Sequence, residues 1–340
     1  MPGLFKGRLA LISYFALSWA VASTQAVAAT SFYEGKRINL IVGFAPGGSA
    51  DLDGRMVAQY LSQYIEGKPN IIVQNMPGAG GLKSINLAYN VSTPDGLAIY
   101  QLASAHYLQQ LAGSSSIQFD LSKMPILGAW TRSSYVLVVR TDKYKSIEEM
   151  RAAKEPPIIA TQGIGTGTYV YTIAWQRALG LNFKLVTGYG SAEQDLAVER
   201  GEVDGRTNSA KGIFDSNPHW ITKNFALPLV QGGPVKDPLI PHVPTVHDLN
   251  PNPGAFFETI NEGLSVARPY VLSPGTPPDR LVVLRNAWEA MLKDKAFVAE
   301  AERRGFEFVP TPHEKVEAFY KKVIGEASPE IVGILQTLFP

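Results

Sequence analysis

The 340-residue chain contains no cysteine. That excludes disulfides, thiolate nucleophiles and cysteine metal sites, and it leaves the redox compartment open. Charge of one sign is also missing: 31 Lys and Arg face 30 Asp and Glu, a net +1. No basic excess exists to draw in nucleic acid or anionic lipid. The five histidines, His106, His219, His242, His247 and His313, show no metal-ligand spacing; His242 and His247 sit close, but without a second pair. No Gly-x-Ser-x-Gly elbow is present, and the stretch GFAPGGSA lacks the lysine of a phosphate-binding P-loop. GIGTGT, residues 163–168, is not a dinucleotide fingerprint, because Thr168 stands where its third glycine belongs. No metal, no cofactor and no catalytic constellation is expected.

What remains is the composition of a well-cored globular chain, 45% hydrophobic and 18% charged, long enough for two domains. Residues 1–28 have the layout of a cleaved export signal. Lys6 and Arg8 supply the basic start, residues 9–21 the apolar segment, and Ala26-Val27-Ala28 a small-residue cleavage site with the mature chain starting near Ala29. The apolar run is short for a membrane span, and no later run is long enough for one. Export to the periplasm as a soluble protein is the expectation. Without Lys6 and Arg8 the charge becomes 29 basic against 30 acidic residues.

Two stretches stand out, GFAPGGSAD at residues 43–51 and QNMPGAGG at residues 74–81. Each follows a short apolar run that reads as a buried strand (38–42 and 71–73) and leads into an amphipathic helix. Loops of this kind present unpaired N–H groups at a helix N-terminus, where the helix dipole favours an anion. Glycine lets a ligand approach the backbone closely. After consecutive parallel strands, both loops fall at the carboxyl edge of one sheet, where ligands bind in open α/β folds. The pair points to a small carboxylate held by backbone groups. Ser49 is expected to cap the first helix, with Asp51 and Asp53 in its first turn. Asp51 either serves that turn or orients loop amides. Gly54, unfavourable inside a helix, is expected to mark a close helix–sheet contact.

A turn at 93–96 and a strand at 97–102 complete a strand–helix–strand–helix–strand series, the pattern of a parallel sheet. From Met124 the run PILGAWTRSSYVLVVRT is too long for one sheet and reads as a crossover between domains. The pattern then restarts: strand 157–161, loop 163–168, helix 169–179, strand 183–187, loop 188–191, helix 192–200 with Gly201 beyond its end, and strands 203–207 and 227–230. Residues 264–272 read as the return crossover. Helices at 279–292, 295–304 and 312–324 close the chain. The expected division is residues 29–132 with 262–340 as one domain and 133–261 as the other. In the second, Arg206 is either an internal arginine or the partner of a second ligand carboxylate, for which its bidentate fork is suited. Asn208 and Ser209 follow it toward the cleft. Tyr169, Tyr171, Trp175 and Tyr189 read as core or as an aromatic ligand wall.

These motifs together resemble the Bug family, the substrate-binding proteins of tripartite tricarboxylate transporters. The similar stretches are VGFAPGGSAD, VQNMPGAGG, TPDGLAIY, YVLVVRTDKYKSIEEM, GSAEQDLAVERGEVD, HVPTVHDL, LSPGTPPDRLVVL and RRGFEFVPTP, in family order and across nearly the whole mature chain. The resemblance implies an α/β fold of the periplasmic-binding-protein type II class, two α/β domains joined by a double crossover and closing on a ligand cleft. It implies ligand contacts from Phe44, Ala45, Pro46, Gly47, Gly48, Ser49 and Asp51, and from Asn75, Pro77, Gly78, Ala79 and Gly80. In the second domain it implies Gly165, Thr166, Gly167 and Thr168, then Gly190 and Ser191, and Asp204 in the wording GEVD; Tyr169 stands at a further contact position. Three departures bear on the ligand: Met76 replaces the usual Arg, Tyr169 a frequent His, and Gly188-Tyr189 a Tyr-Lys pair.

The expected function is therefore a monomeric periplasmic receptor. It would hand a dicarboxylate or an aromatic carboxylate to the membrane subunits of such a transporter. A ligand-sensing subunit that presents the acid to a signalling partner is the alternative, and an enzyme of the same fold a third.

Overall fold

The computed structural model describes residues 31–339 apart from Ser133, Pro234 and Ala267. The expected export signal and mature start lie outside the described residues. The chain opens with β1 (Arg37–Val42), α1 (Ser49–Tyr64), β2 (Asn70–Asn75), α2 (Leu82–Asn90), β3 (Ala98–Gln101), α3 (His106–Leu111) and β4 (Ile126–Thr131). Next come β5 (Tyr135–Arg140), α4 (Ile147–Arg151), β6 (Ile158–Ala160), α5 (Gly167–Ala178), β7 (Lys184–Val186), α6 (Ser191–Arg200), β8 (Gly205–Ser209), α7 (Ala210–Ser216), α8 (Pro218–Thr222) and β9 (Ala226–Gly232). The remainder is α9 (Val246–Leu249), α10 (Ala255–Glu262), β10 (Tyr270–Val271), α11 (Pro278–Leu292), α12 (Lys295–Arg303), β11 (Phe308–Pro312), α13 (His313–Glu326) and α14 (Pro329–Leu338).

Two sheets result. The first has six strands in the order β11-β4-β10-β3-β1-β2, and the second five in the order β7-β6-β8-β5-β9. β1 pairs in parallel with β2 and β3, as the strand–helix alternation requires, while β10 and β11 enter antiparallel. The long extended run divides as expected into β4 in the first sheet and β5 in the second, joined by residues 132–134. The return passage differs from the expected extended run. Gly263–Val266 is a 3-10 turn that buries Leu264 and Val266, and only Tyr270–Val271 enters the sheet. Pro269, which has no N–H, precedes that short strand, and its carbonyl accepts from Leu102 N. The chain also ends differently: α14 follows α13, started by Ser328, whose side chain caps Ile331 N, with Pro329 at the first helical position.

α1 shows how the first sheet is covered. Met56, Val57 and Leu61 of this helix are fully buried, and burial of each such side chain is worth about 1.5–3 kcal/mol. Gly54 makes the expected close contact: a Cβ there would lie 2.6 Å from Val42 Cγ2. This apolar face packs with α11 and α12. On the opposite side a single core runs through both sheets, joining Ile41, Tyr100 and Leu108 to Leu137, Ile159 and Trp175. Tyr171 and Trp175 belong to this core, which removes them from the candidate ligand wall. Among the described residues no helix is long and apolar enough to cross a membrane.

Candidate functional site

The first glycine loop is shaped from within. Asp51 is 2% exposed, and its oxygens accept from Gly47 N (2.8 Å), Arg55 Nε (2.9 Å) and Asn75 Nδ2 (2.8 Å). Burial pushes this carboxyl up, but those hydrogen bonds outweigh it and hold it below its usual range. Asn75 also donates to Phe44 O at 3.0 Å, which ties the end of β2 to the first loop. Both side chains thus orient the loop backbone through these bonds. Gly48, not Ser49, is the N-cap of α1, and no side chain caps that helix. Ser49 Oγ instead accepts from Arg268 Nη2 at 2.9 Å. The first-turn donors of α1 therefore face the loop with no side chain occupying them.

The second loop is backbone in an unusual state. Gly78, Ala79, Gly80 and Gly81 all have positive φ (147°, 48°, 65° and 95°), a run that only glycine tolerates freely. α2 then starts from Gly81, again with no side-chain cap. His106, absent from the sequence expectations for the site, holds this loop. Ala103 N donates to its Nδ1 at 3.2 Å, so the proton sits on Nε2, which donates to Gly80 O at 3.2 Å. Burial lowers its pKa to about 4 against the pull of that carbonyl, so the ring is neutral.

The second sheet supplies the facing wall. Gly165 has φ 87° and lies against the second loop; a Cβ on Gly80 would be 3.4 Å from Gly165 C and from Thr166 Cγ2. Thr166 caps α5: its Oγ1 accepts from Tyr169 N at 3.4 Å and donates to Gly163 O at 2.7 Å. Thr168 Oγ1 accepts from Gln162 N at 3.1 Å and lies 3.1 Å from Thr166 Oγ1. Both hydroxyls, expected to donate to a ligand, are engaged inside their own loop. Gly167 packs on Tyr135, and Tyr169 is half-buried against the shared core. At the start of α6, Ser191 Oγ takes Gln162 Nε2 (3.2 Å) and Asn208 Nδ2 (3.5 Å), while Gly190 N donates to Glu193.

Two expected contacts, Asp204 and Arg206, are engaged with protein groups. Asp204 precedes β8, whose other end, Ser209, reaches the cleft. Five residues of strand span roughly 16 Å, and the Asp204 carboxylate accepts from Ile158 N at 2.9 Å with Lys143 nearby. Arg206 is 1% exposed and paired with Asp195, its Nη1 also donating to Ser191 O at 2.8 Å. Its burial and ion pair are those of an internal arginine, and its Nε and Nη2 have no protein partner.

Beside the touching loops a cleft of about 260 Å³ remains between the sheets, lined by Ser49, Arg132, Ser134, Ser209, Lys211 and Arg268 among others. Arg132 is paired with Glu307 and Lys211 with Asp215. Arg268, on Ser49, lies 3.8 Å from the buried Asp53. Asp53 is not a surface first-turn acid: it accepts from Trp130 Nε1 and Tyr270 Oη, both at 2.7 Å. Burial raises its carboxyl to about 6 against Arg268 and those two donors.

No protein-family model matches the chain. Two Bordetella pertussis proteins are similar to it at 24% identity: a UPF0065 protein over 329 residues, 95% of this chain and 96% of its own, and Protein BugT over 305 residues, 87% and 88%. Among solved structures, periplasmic binding protein BugD superposes with a TM-score of 0.70 at 20% identity, over 90% of this chain and 98% of its own. Rhodopseudomonas palustris Rpa4515, solved with adipate, gives 0.71 at 17% identity over 90% and 98%. MatC from the same organism, with bound malate, gives 0.69 at 18% over 90% and 99%. The architecture is the periplasmic-binding-protein fold. Within it, the similarity to Bug proteins noted in the loops extends along nearly the whole chain.

Proposed function

We propose that the chain is a periplasmic solute-binding protein that captures a small carboxylate between its two sheets for uptake by a tripartite tricarboxylate transporter. Residues 29–132 with 262–340 and residues 133–261 act as its two domains, after removal of residues 1–28. The observation that carries this reading is the pair of adjacent helix N-termini, α1 and α2, with no side-chain cap and with loops braced by Asp51, Asn75 and His106. Backbone N–H groups held in this way suit an anion. A carboxylate landing there meets the Gly165 loop from the other sheet, and contacts made to both sides shift the population toward the closed form. Binding rather than turnover is favoured because the polar side chains nearest the loops brace backbone and form no nucleophile–base pair.

A dicarboxylate is favoured over an aromatic acid. Tyr171 and Trp175 are in the core, Arg268 stands on Ser49 at the cleft, and two structural neighbours were solved with malate and adipate. The test is a thermal-shift screen against mono-, di-, tri- and aromatic carboxylates. A ligand that binds only the folded state raises the melting temperature by mass action. A rise with dicarboxylates is the expected result; a flat response to every carboxylate contradicts the reading.

A further inference from the structure

Helix α3 carries two polar side chains, one turn apart, that reach both glycine loops. His106 Nε2 donates to Gly80 O at 3.2 Å. Gln109, three residues on and 3% exposed, donates from Nε2 to Gly165 O at 2.7 Å. Positions three apart share a helix face, so a single rigid surface indexes a loop of the first sheet and a loop of the second. The two carbonyls belong to glycines at φ 65° and 87°, residues whose peptide planes turn easily. A carbonyl oxygen turned toward a bound carboxylate repels it, so a donor on each keeps the loops fit for an anion. The Gln109 bond joins residues 56 apart in sequence and lies out of water, where a hydrogen bond is stronger than at a surface.

We propose that Gln109 is a positioning residue for ligand capture: with His106 it forms a bracket that fixes the Gly165 loop against the Gly80 loop and favours the closed arrangement of the two sheets. The proposal rests on reading the chain as a carboxylate receptor. It differs from inert packing in what it controls, namely the distance between the sheets and the lifetime of the complex.

Because the chain has no cysteine, Val282→Cys on α11 and Leu196→Cys on α6, both exposed, give a unique pair for spin-label distance measurement. In that background Gln109→Met keeps the length of the side chain without its donor. The expected result, without ligand, is a distance distribution shifted to longer values. With adipate as probe, the dissociation rate rises about tenfold while the association rate is little changed. Distances and dissociation rate equal to those of the parent overturn the proposal. Should Gln109→Met fail to fold, Gln109→Asn, which withdraws the donor by one methylene, takes its place with the same expectations. If adipate binds neither parent nor variant, the receptor reading for that acid fails, and the bracket is decided by the ligand-free distances alone.

Discussion

The glycine loops of the two sheets look alike in sequence and differ in what they leave free. In the first sheet, α1 and α2 begin from Gly48 and Gly81 with no side-chain cap, and the neighbouring polar groups Asp51, Asn75 and His106 point into the loops. In the second sheet, α5 is capped by Thr166, and α6, which starts from Gly190 with no side-chain cap, has the Glu193 carboxylate on Gly190 N at its start. A capped helix has satisfied one of its own orphan donors, whereas an uncapped one offers them all outward. In the proposed reading the first sheet grips the anion, and the second, where Thr166 and Glu193 already occupy the helix starts, presents a wall that selects by shape.

Four changes break or sharpen that contrast. Gly80→Val places a β-branched residue at φ 65° and against Gly165 and Thr166. Carboxylate affinity should fall by at least about 100-fold, or ~2.7 kcal/mol, with cooperative melting retained. Normal affinity measured by calorimetry sinks the loop assignment.

Next is pH, through two buried groups on helices beside the first sheet, Asp53 of α1 and His106 of α3. His106, lowered from 6.5 to about 4, keeps full stability above its unfolded pKa and loses it as pH falls through 6.5 toward 4. Asp53, raised from 3.8 to about 6, acts oppositely: it costs stability as pH rises from about 4 to 6. Each is worth about 3 kcal/mol, so in the intact protein they nearly cancel. In Asp53→Asn, stability should rise with pH across this window, and in His106→Gln it should fall. Denaturant unfolding at pH 4 and 6.5 reads both, and parallel slopes in the two variants contradict the assignment.

Smaller effects are expected in the second sheet. Thr166→Val removes a cap and should cost about 1 kcal/mol of stability, with affinity changed less than about threefold; a collapse of affinity instead makes Thr166 a ligand group. Asp204→Asn should alter neither stability nor affinity by more than about 1 kcal/mol, as its place at the far end of β8 requires. Loss of binding there reverses the placement.

Much of this was legible in the sequence for a physical reason. Apolar period and glycine punctuation report local structure, so the strand–loop–helix units at residues 43–51 and 74–81, and the contact at Gly54, could be read directly. The tail helix α14 carries a legible start, Ser328-Pro329, but follows α13 so closely that the two share one apolar pattern. Site chemistry was harder, because it depends on strand direction and on partners distant in sequence. β8 runs antiparallel to β5, which sends Asp204 away from the cleft. The partner of Arg206, Asp195, lies on α6 and gave no signal. His106 and Gln109 meet Gly80 and Gly165 only through the fold; their spacing of three on a short helix was the one trace, and it is common.

The central claim is that a carboxylate sits on the backbone donors of the first sheet. Backbone amide chemical shifts, followed by NMR during titration with the dicarboxylate that most raises the melting temperature, test it most directly. The account predicts the largest changes at residues 47–52 and 79–84, with smaller ones at 163–168. Saturable changes confined to the second sheet, leaving Gly47, Gly48 and Gly80 unmoved, contradict it.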